Sequence, residues 1–348
     1  MSIDSAVRFS KSLLTVQGVP DDIAQDVALH LVESDRVGHS SHGLSILPNY
    51  CLALQDGHVD RQGRAELASD RGTVLHFNGH NGFGQHVGKV VMQQAIARAT
   101  ELGQCFITLR HSHHLGRIGQ YGEMVADAGM ILLAFTNIIN RRPLVAPFGG
   151  TQACLMTNPL CIAGPLPGGR PHFLADMATS LIAVNKARVL AAKGERAPAG
   201  SLIDAQGCPV DDPGVLFAEP SGALLPFGGH KGYALNLVIE LLAGGLSGGG
   251  FVEESHERSN RIATNNMFAI LINSKMNFDT DWCTPQVATF IHRLHACPPQ
   301  PGVTEVQYPG EYEANNRARQ ATTLIFDSST WNALVDLARE LNVHVPSC

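Results

Sequence analysis

The chain has 348 residues, 44% of them hydrophobic and 16% charged, and a formal net charge of −6. This composition is that of a compact globular protein of one or two domains, and it excludes a disordered chain. No basic block is present, so we expect no nucleic-acid partner. The polar first nineteen residues and the lack of an eighteen-residue apolar run predict neither a signal peptide nor a membrane span. A cytoplasmic protein is therefore expected.

The first sixty residues have the spacing of helices. Pro20-Asp21-Asp22 predicts a capped helix start. A second helix is predicted after Gly38, and it ends at Gly57. The turn between the two helices carries His39-Ser40-Ser41-His42-Gly43, so two histidines are predicted at a helix–helix junction.

From residue 73 onward, segments with the apolar spacing of strands alternate with segments that have the apolar spacing of helices. This alternation predicts α/β layering with a partly parallel sheet. Loops are predicted at 141–150, 193–212 and 298–312. The predicted strands are 73–77, 105–109, 130–135, 160–163, 173–176 and 266–272, and the predicted helices are 86–102, 119–128, 180–192, 232–246 and 329–341.

The segment 110–121 follows a predicted buried strand and contains three histidines and two arginines. Open α/β sheets bind ligands at the carboxyl ends of their strands. Histidine exchanges protons near neutral pH, and arginine holds a carboxylate with two hydrogen bonds. The segment therefore predicts chemistry on a small anion. A metal site is the weaker interpretation, because no H-E-x-x-H motif and no nearby carboxylate accompany the histidines, and we predict none.

Three further sequence features, at His42, Lys231 and Asp176, each allow a functional and a structural interpretation. His42 is either a general acid or a histidine that joins two helices; a nucleophile–base pair with Ser41 is not expected, because adjacent side chains rarely reach each other. Gly228–Gly232, with Lys231, predicts an anion site at a helix start, or a glycine-rich approach that allows close packing. Asp176, at the end of a predicted strand, is either a structural acceptor or the partner that orients a histidine.

The glycine fingerprint of Rossmann folds, G-x-G-x-x-G, follows none of the predicted strands. Several other motifs resemble those of the type-2 malate/L-lactate dehydrogenase family, and most closely the bacterial hydroxycarboxylate dehydrogenases within it. They keep the family's order and span most of the chain. These motifs are Gly38–Gly43, Leu47-Pro48-x-Tyr50, Ser112–Gly119, Pro147–Gly150, Thr157–Pro159, Asp176–Ser180, Leu202–Asp204, Gly229–Tyr233 and Pro309–Glu311.

The resemblance implies a homodimeric NAD(P)-dependent oxidoreductase with a non-Rossmann nicotinamide-binding α/β domain, a mixed sheet and a mainly helical second domain. We expect the helical domain at 1–70 and 313–348 and the α/β domain at 71–312. The resemblance also implies that His42 exchanges the proton, a role that some members give to the residue matching His114, and that Asp176 lies near it. The residues it implies at the cofactor are Thr136, Asn137, Asp176, Met177, Ala178, Thr179, Ser180, His230, Lys231, Pro309, Gly310 and Glu311.

One departure from the family affects the substrate. Many members have an arginine four residues after the histidine of the Ser-His-Gly motif, and this chain has Ile46 there. Either Arg117 or Arg142 is then expected to bind the carboxylate, or the pocket prefers a more apolar 2-oxo acid. Ser41 and Tyr50 are also expected at the substrate. The departure weakens malate most, because a second carboxylate needs another cation.

The sequence thus predicts hydride transfer between NAD or NADP, of which we expect NAD, and C2 of a 2-hydroxy or 2-oxo acid. The alternatives are reduction of a cyclic imine acid, a ureidoglycolate-type reaction, and a relative that binds a ligand without catalysis.

Overall fold

The computed structural model describes residues 1–253 and 263–346. Its helices are α1 Ile3–Thr15, α2 Asp21–Arg36, α3 Leu47–Gln55, α4 Gly84–Leu102, α5 Gly119–Asp127, α6 Val184–Lys193, α7 His230–Ile239, α8 Ser274–Asn277, α9 Thr280–His295, α10 Glu311–Arg319 and α11 Ser328–Glu340. Its strands are β1 Glu66–Arg71, β2 Val74–Asn78, β3 Gln104–His113, β4 Met130–Ile139, β5 Leu160–Gly164, β6 Phe173–Met177, β7 Leu202–Ile203, β8 Pro209–Val210, β9 Ala223–Leu224 and β10 Thr264–Asn273.

Seven strands form the main sheet in the order β1-β2-β3-β10-β4-β5-β6. Only the β2–β3 pair is parallel, and the other five pairs are antiparallel. The predicted mixed sheet is confirmed. Its parallel part is small because β10, from late in the chain, inserts antiparallel between β3 and β4.

One face of the three central strands β3, β10 and β4 is buried, and apolar residues on the other face, such as Leu133 and Ile270, are partly buried. Ile107, Leu132 and Ala269 are fully buried, with α4 and α5 packed against this core. Gly103 ends α4 in the left-handed region at φ 84°, a conformation that glycine adopts without a steric penalty. The chain can therefore turn at once into β3, whose far end carries the predicted histidines.

A second apolar core lies among α1, α2, α3 and α11, and it includes Leu13, Ile23, Leu47 and Leu334. Asp21 and Asp22 lie in the first turn of α2 and Arg36 in its last turn, as the helix dipole favours. A third cluster surrounds a small sheet of order β8-β7-β9. The division into two domains at residues 70 and 313 stays a prediction.

The structure differs from the sequence expectations at several elements. β3 continues through His113, so two of the three clustered histidines lie on a strand rather than in a loop. The predicted helix 232–246 begins at His230 as α7 and continues as a π-helix from Glu240 to Leu246. The sequence analysis left seven elements without secondary structure: strands β1, β7, β8 and β9 and helices α8, α9 and α10, of which β7 and β8 lie in the loop predicted at 193–212. No helix within 1–253 or 263–346 is long and apolar enough to cross a membrane.

Candidate active site

The end of β3 and the segment after it are held by side chains from two other elements, β10 and α2. Asn266 of β10 accepts a hydrogen bond from the His111 N–H (2.9 Å), and Asn265 accepts one from the Leu115 N–H (2.8 Å). His30 of α2 accepts one from the Arg117 N–H (3.0 Å). These bonds satisfy backbone groups that the sheet no longer pairs, and they hold the segment close to α2.

The other histidine-bearing segment is the pair of 3₁₀ turns between α2 and α3, Ser40–His42 and Leu44–Ile46. The buried Asp35 carboxylate accepts a hydrogen bond from the Leu44 N–H (2.8 Å) and lies against Gly43, where a Cβ would overlap its oxygens. His39 bonds Glu313 of α10 through Nε2 (2.8 Å). Burial raises the pKa of Asp35 to about 7, so this anchor is costly to ionise.

His42 and His114 come together from these two segments. Their rings are stacked, with centroids 5.5 Å apart and an interplanar angle of 18°. Ser41 Oγ lies 3.0 Å from His42 Nδ1, so the tight 3₁₀ turn brings the two adjacent side chains into contact, contrary to the sequence expectation. The Nε2 atom of each ring has no hydrogen-bond partner within the described ranges. The two imidazole rings are therefore adjacent, and the Nε2 atom of each can bind a substrate atom.

Tyr50 contacts His114 from α3. Its hydroxyl lies 2.6 Å from His114 Nδ1, and Gln85 Nε2 donates to the same hydroxyl at 2.8 Å. Tyr50 and Gln85 are 2% and 1% exposed, so this short chain of hydrogen bonds is shielded from solvent.

Both paired histidines are held neutral. Burial lowers the pKa of His42 to about 4, with smaller contributions from the charges of His39 and Arg117. Burial also lowers the pKa of His114 well below its usual value, and the charges of His42 and Arg141 add to this. A neutral imidazole can accept a proton at one nitrogen and donate a hydrogen bond from the other, so the pair is suited to acid–base chemistry at neutral pH.

Arg117 and Asp176 lie side by side, and the charge of Arg117 reaches His42. A Cβ on Gly119 would contact both Arg117 Nη1 and Asp176 Oδ2, and Asp176 accepts a hydrogen bond from the Gly119 N–H (2.8 Å). Arg117 is buried and pairs with Glu123 (2.6 Å). Burial raises the pKa of Asp176, although Arg117 opposes the shift. No hydrogen bond joins Asp176 to His42 among the described residues.

Arg141 and Arg142 are adjacent in sequence but differ in burial. Arg142 has a half-exposed side chain and pairs with the exposed Glu219 (2.9 Å). Arg141 is partly buried, and burial lowers its pKa. Its charge reaches His114, whereas that of Arg142 is not among the charges that shift the pKa of either paired histidine. Sequence reasoning did not single out Arg141, because its neighbour has the same side chain and nothing local distinguishes the two.

Three segments that the resemblance assigns to the cofactor meet around β6. Near the start of this strand the Leu174 N–H donates to the carbonyl of Pro309 (2.9 Å). Just beyond its end the Phe227 N–H donates to the carbonyl of Thr179 (3.0 Å), in the segment of Met177, Ala178 and Ser180. Phe227 leads into the exposed start of α7, where His230 and Lys231 lie.

A cleft of about 570 Å³ opens at the start of β6 and is bordered by Arg170, His172, Gly310 and Arg317. Gly310 has a φ of 111°, and a Cβ there would overlap the carbonyl oxygen of His172. The position therefore requires glycine and leaves the wall of the cleft without a side chain. A cleft with basic side chains at one end of β6, and an exposed helix N-terminus near the other, fit a long phosphate-bearing molecule such as a dinucleotide.

Thr136 and Asn137, which the resemblance also assigns to the cofactor, are buried side chains, and their cofactor role stays a prediction. Both are buried in β4, and the Asn137 amide donates to Glu240 (3.2 Å) and accepts from Asn266 (3.0 Å). Glu240, at the start of the π-helix, also accepts from Asn158 (2.6 Å). These buried bonds tie the end of β4 to the π-helix, so Asn137 acts there as a structural connector.

The fold and this site define a class of protein. A mixed sheet without the Rossmann fingerprint carries a neutral histidine pair, a buried arginine–carboxylate cluster and segments suited to a dinucleotide. This combination fits an oxidoreductase, a class in which the protein orients a bound redox cofactor and supplies the charge and proton around it.

Comparisons with known proteins agree. Residues 1–335 match the model of the family described as malate/L-lactate dehydrogenase. The chain is 58% identical over 348 residues to an L-lactate dehydrogenase of Cupriavidus necator, covering 100% of this chain and 99% of that protein. It is 35% identical to hydroxycarboxylate dehydrogenase B of Escherichia coli, covering 96% and 92%. A solved Escherichia coli structure, described as of the malate/lactate dehydrogenase type, superposes with a TM-score of 0.93 at 33% identity, covering 98% and 95%.

The chain belongs to the malate/L-lactate dehydrogenase family. It is an oxidoreductase of the hydroxycarboxylate dehydrogenase type, as the motifs in its sequence predicted.

Proposed function

We propose that the protein transfers hydride between a nicotinamide cofactor and C2 of a small 2-hydroxy or 2-oxo monocarboxylic acid of the lactate and pyruvate type. The observation that carries this proposal is the stacked pair of His42 and His114, which joins two segments far apart in sequence. The family and the relative named an L-lactate dehydrogenase support the substrate class. Ile46, in place of a second cation, favours a single carboxylate.

The nicotinamide, once bound, supplies or accepts the hydride, and the chain's own residues handle the proton and the charge. In oxidation His42 removes the proton of the 2-hydroxyl group at Nε2, while the hydride leaves C2; in reduction it returns that proton to the oxygen. Its pKa of about 4 keeps it neutral at pH 7, ready to act as a base. Oxidation is therefore expected to lose its base as the pH falls through about 4.

His114 donates a hydrogen bond to the substrate oxygen, on which negative charge develops during reduction. For the carboxylate we propose Arg141, because it is partly buried and its charge reaches His114. Arg117, a candidate from the sequence, has a different role in this proposal: its charge offsets that of the adjacent Asp176 and lowers the pKa of His42. Arg142 remains a candidate for the carboxylate only if its pair with Glu219 opens.

For the cofactor we propose NAD or NADP, along β6 between the cleft at Gly310 and the start of α7. The residues that would hold it are those of 176–180, His230, Lys231 and 309–311. Charge in the cleft gives no clear preference between the two cofactors, because His172 is paired with Asp127 (2.8 Å) and Arg317 with Glu123 (2.8 Å). The assay with both reduced cofactors decides this point.

The test is His42→Ala. Removing an acid–base group lowers turnover by ~10²–10⁴-fold, and binding of the reduced cofactor, measured by its fluorescence, should be nearly unchanged. The substrates to compare are pyruvate, phenylpyruvate, 2-oxoglutarate and piperideine-2-carboxylate. Near-normal turnover in the variant would remove His42 from the role. A preference for the cyclic imine acid would move the chain to the alternative reaction, and no oxidation of either cofactor across the panel would contradict the proposal.

We also propose a homodimer. The described part of α7 and the π-helix exposes Leu235, Leu237, Val238, Leu241 and Leu246, each between 37% and 57% accessible. An apolar face of this extent marks an interaction surface. A second copy of the chain is expected to cover it, so light scattering should give a mass near twice 37.2 kDa. A monomer at micromolar concentration would contradict this.

A further inference from the structure

The hydrogen bonds from Gln85 to Tyr50 and from Tyr50 to His114 have a fixed direction, which the proposed reaction does not require. His114 Nδ1 has one partner, the hydroxyl of Tyr50 at 2.6 Å, and that hydroxyl has one other partner, Gln85 Nε2 at 2.8 Å. A phenol has one proton to donate, whereas the amide nitrogen of glutamine only donates. Because Gln85 donates to the hydroxyl, the proton of Tyr50 is directed to the remaining neighbour, which is His114 Nδ1.

The orientation of the Gln85 amide is supported by counting unpaired groups. As it stands, one buried atom, Gln85 Oε1, has no partner within the described chain. The reverse orientation would place the N–H₂ group, with two donors, in that same pocket. Buried N–H groups without acceptors are rarer than carbonyl oxygens without donors. The amide therefore donates to Tyr50.

From this geometry we propose that Gln85 and Tyr50 are positioning residues that hold neutral His114 as the tautomer with its proton on Nε2. The inference rests on the proposed function for its catalytic meaning. In this tautomer His114 Nε2 can only donate a hydrogen bond to the substrate oxygen. It cannot take up the proton of the hydroxyl group, because Nδ1 already accepts from Tyr50 and Nε2 is protonated.

His42 is held differently, and this assigns the two roles. Its Nδ1 faces a serine hydroxyl at 3.0 Å, which can rotate to donate or to accept. His42 can therefore gain or lose a proton at Nε2 without losing its partner. The structure thus gives proton exchange to His42 and permanent hydrogen-bond donation to His114. Burial raises the pKa of Tyr50, so its phenol stays a donor throughout the working pH range.

The test reads the tautomer directly. Two-bond ¹H–¹⁵N spectra of the full-length protein, labelled at the histidine ring nitrogens, distinguish protonated from unprotonated nitrogens, and His114→Gln assigns the signals of His114. We expect the Nε2–H form in the wild type from pH 6 to 9. Tyr50→Phe and Gln85→Leu should each increase the Nδ1–H form. The matched control is Tyr121→Phe, which removes an equally buried hydroxyl that donates to the Leu115 carbonyl (2.7 Å) and does not touch a histidine nitrogen.

Turnover gives a second measurement. Tyr50→Phe should lower kcat for 2-oxo acid reduction roughly 10-fold with little change in KM. This loss is smaller than the ~10²–10³-fold cost of deleting an oxyanion donor, because part of the His114 population keeps its Nε2 proton. The limb of the pH profile that belongs to His42 should not move.

An Nδ1–H signal for His114 in the wild type would overturn the inference, and so would a tautomer that neither Tyr50→Phe nor Gln85→Leu changes. If Tyr50→Phe does not fold, the wild-type spectrum and Gln85→Leu still decide the question. Failure of the proposed function would be a different result, since a chain that turns over no 2-oxo acid would still give the tautomer signals.

Discussion

His42 and His114 face each other at 5.5 Å, yet the segments that carry them are built differently. His114 follows a central strand, and its neighbours are tied by buried hydrogen bonds to β10, α2 and α3. His42 is partly buried on a short 3₁₀ turn, which is held by Asp35 and by the bond of His39 to Glu313. The difference suits their proposed work. A group that only donates a hydrogen bond gains from rigid placement. A group that exchanges a proton at Nε2 can keep its Nδ1–H bond to Ser41 in both protonation states.

The largest expected effect comes from disturbing the turn. In Gly43→Ala the new Cβ would overlap the Asp35 carboxylate, so the turn must shift and carry His42 with it. A displacement of about 1 Å lowers turnover by roughly 10²-fold. Steady-state assays of 2-oxo acid reduction check this. Gly245→Ala is the control, since a Cβ there meets nothing closer than 3.5 Å. Normal kcat in Gly43→Ala would mean that the turn tolerates movement and that its anchor is unimportant.

The next effect concerns Arg141, whose charge reaches His114. Arg141→Ala should raise KM for the 2-oxo acid by roughly 10–100-fold, because a charge-assisted hydrogen bond to the carboxylate is lost. Arg142→Ala is the matched control, with the same side chain one position along on the surface, and should change KM by less than about twofold. The opposite pattern would return the carboxylate to Arg142. Equal, small effects in both variants would leave Arg117 as the remaining sequence-based candidate.

A smaller effect concerns stability at acid pH, which the buried His113 beside His114 should lower. Burial lowers the pKa of His113 to about 3, and neither of its ring nitrogens has a partner within the described residues. The unfolded chain takes up this proton below pH ~6.5, while the folded chain does so only near pH 3, so stability falls as the pH drops between these values. At pH 5 the loss from this group is about 2 kcal/mol.

His113→Phe should therefore lose about 2 kcal/mol less free energy of unfolding than the wild type between pH 8 and pH 5. Urea unfolding at the two pH values measures it. The exposed His292→Phe serves as the control, and no difference from the wild type is expected there. Equal acid sensitivity in His113→Phe and the wild type would show that His113 is protonated in the folded protein near its ordinary pKa.

The sequence predicted well what depends on local pattern. The strong helices and most central strands lie where periodicity placed them, because burial on one face or both leaves a regular apolar spacing. The motif-bearing residues His42, His114 and Tyr50 do come together. The position of Tyr50 against a histidine rather than at an open surface could not be read from its neighbours.

What the sequence missed depends on contacts over long separations. Gln85 stands 35 residues from Tyr50, and no local signal distinguishes its buried amide from an exposed one. The Asp35–Leu44 bond depends on how tightly the 3₁₀ turn folds back on α2. The insertion of β10 between β3 and β4 pairs strands far apart in the chain, which periodicity does not encode.

The hydrogen bond between His39 and Glu313 spans 274 residues. During synthesis the ribosome must therefore release most of the polypeptide before the bend that holds His42 acquires this contact. All seven strands of the main sheet precede residue 313, so the sheet can assemble earlier, with β10 holding the segment of His114 in place. Nascent chains arrested before residue 313 should thus lack a finished reaction centre even where the strands have paired, so activity is acquired late and all at once.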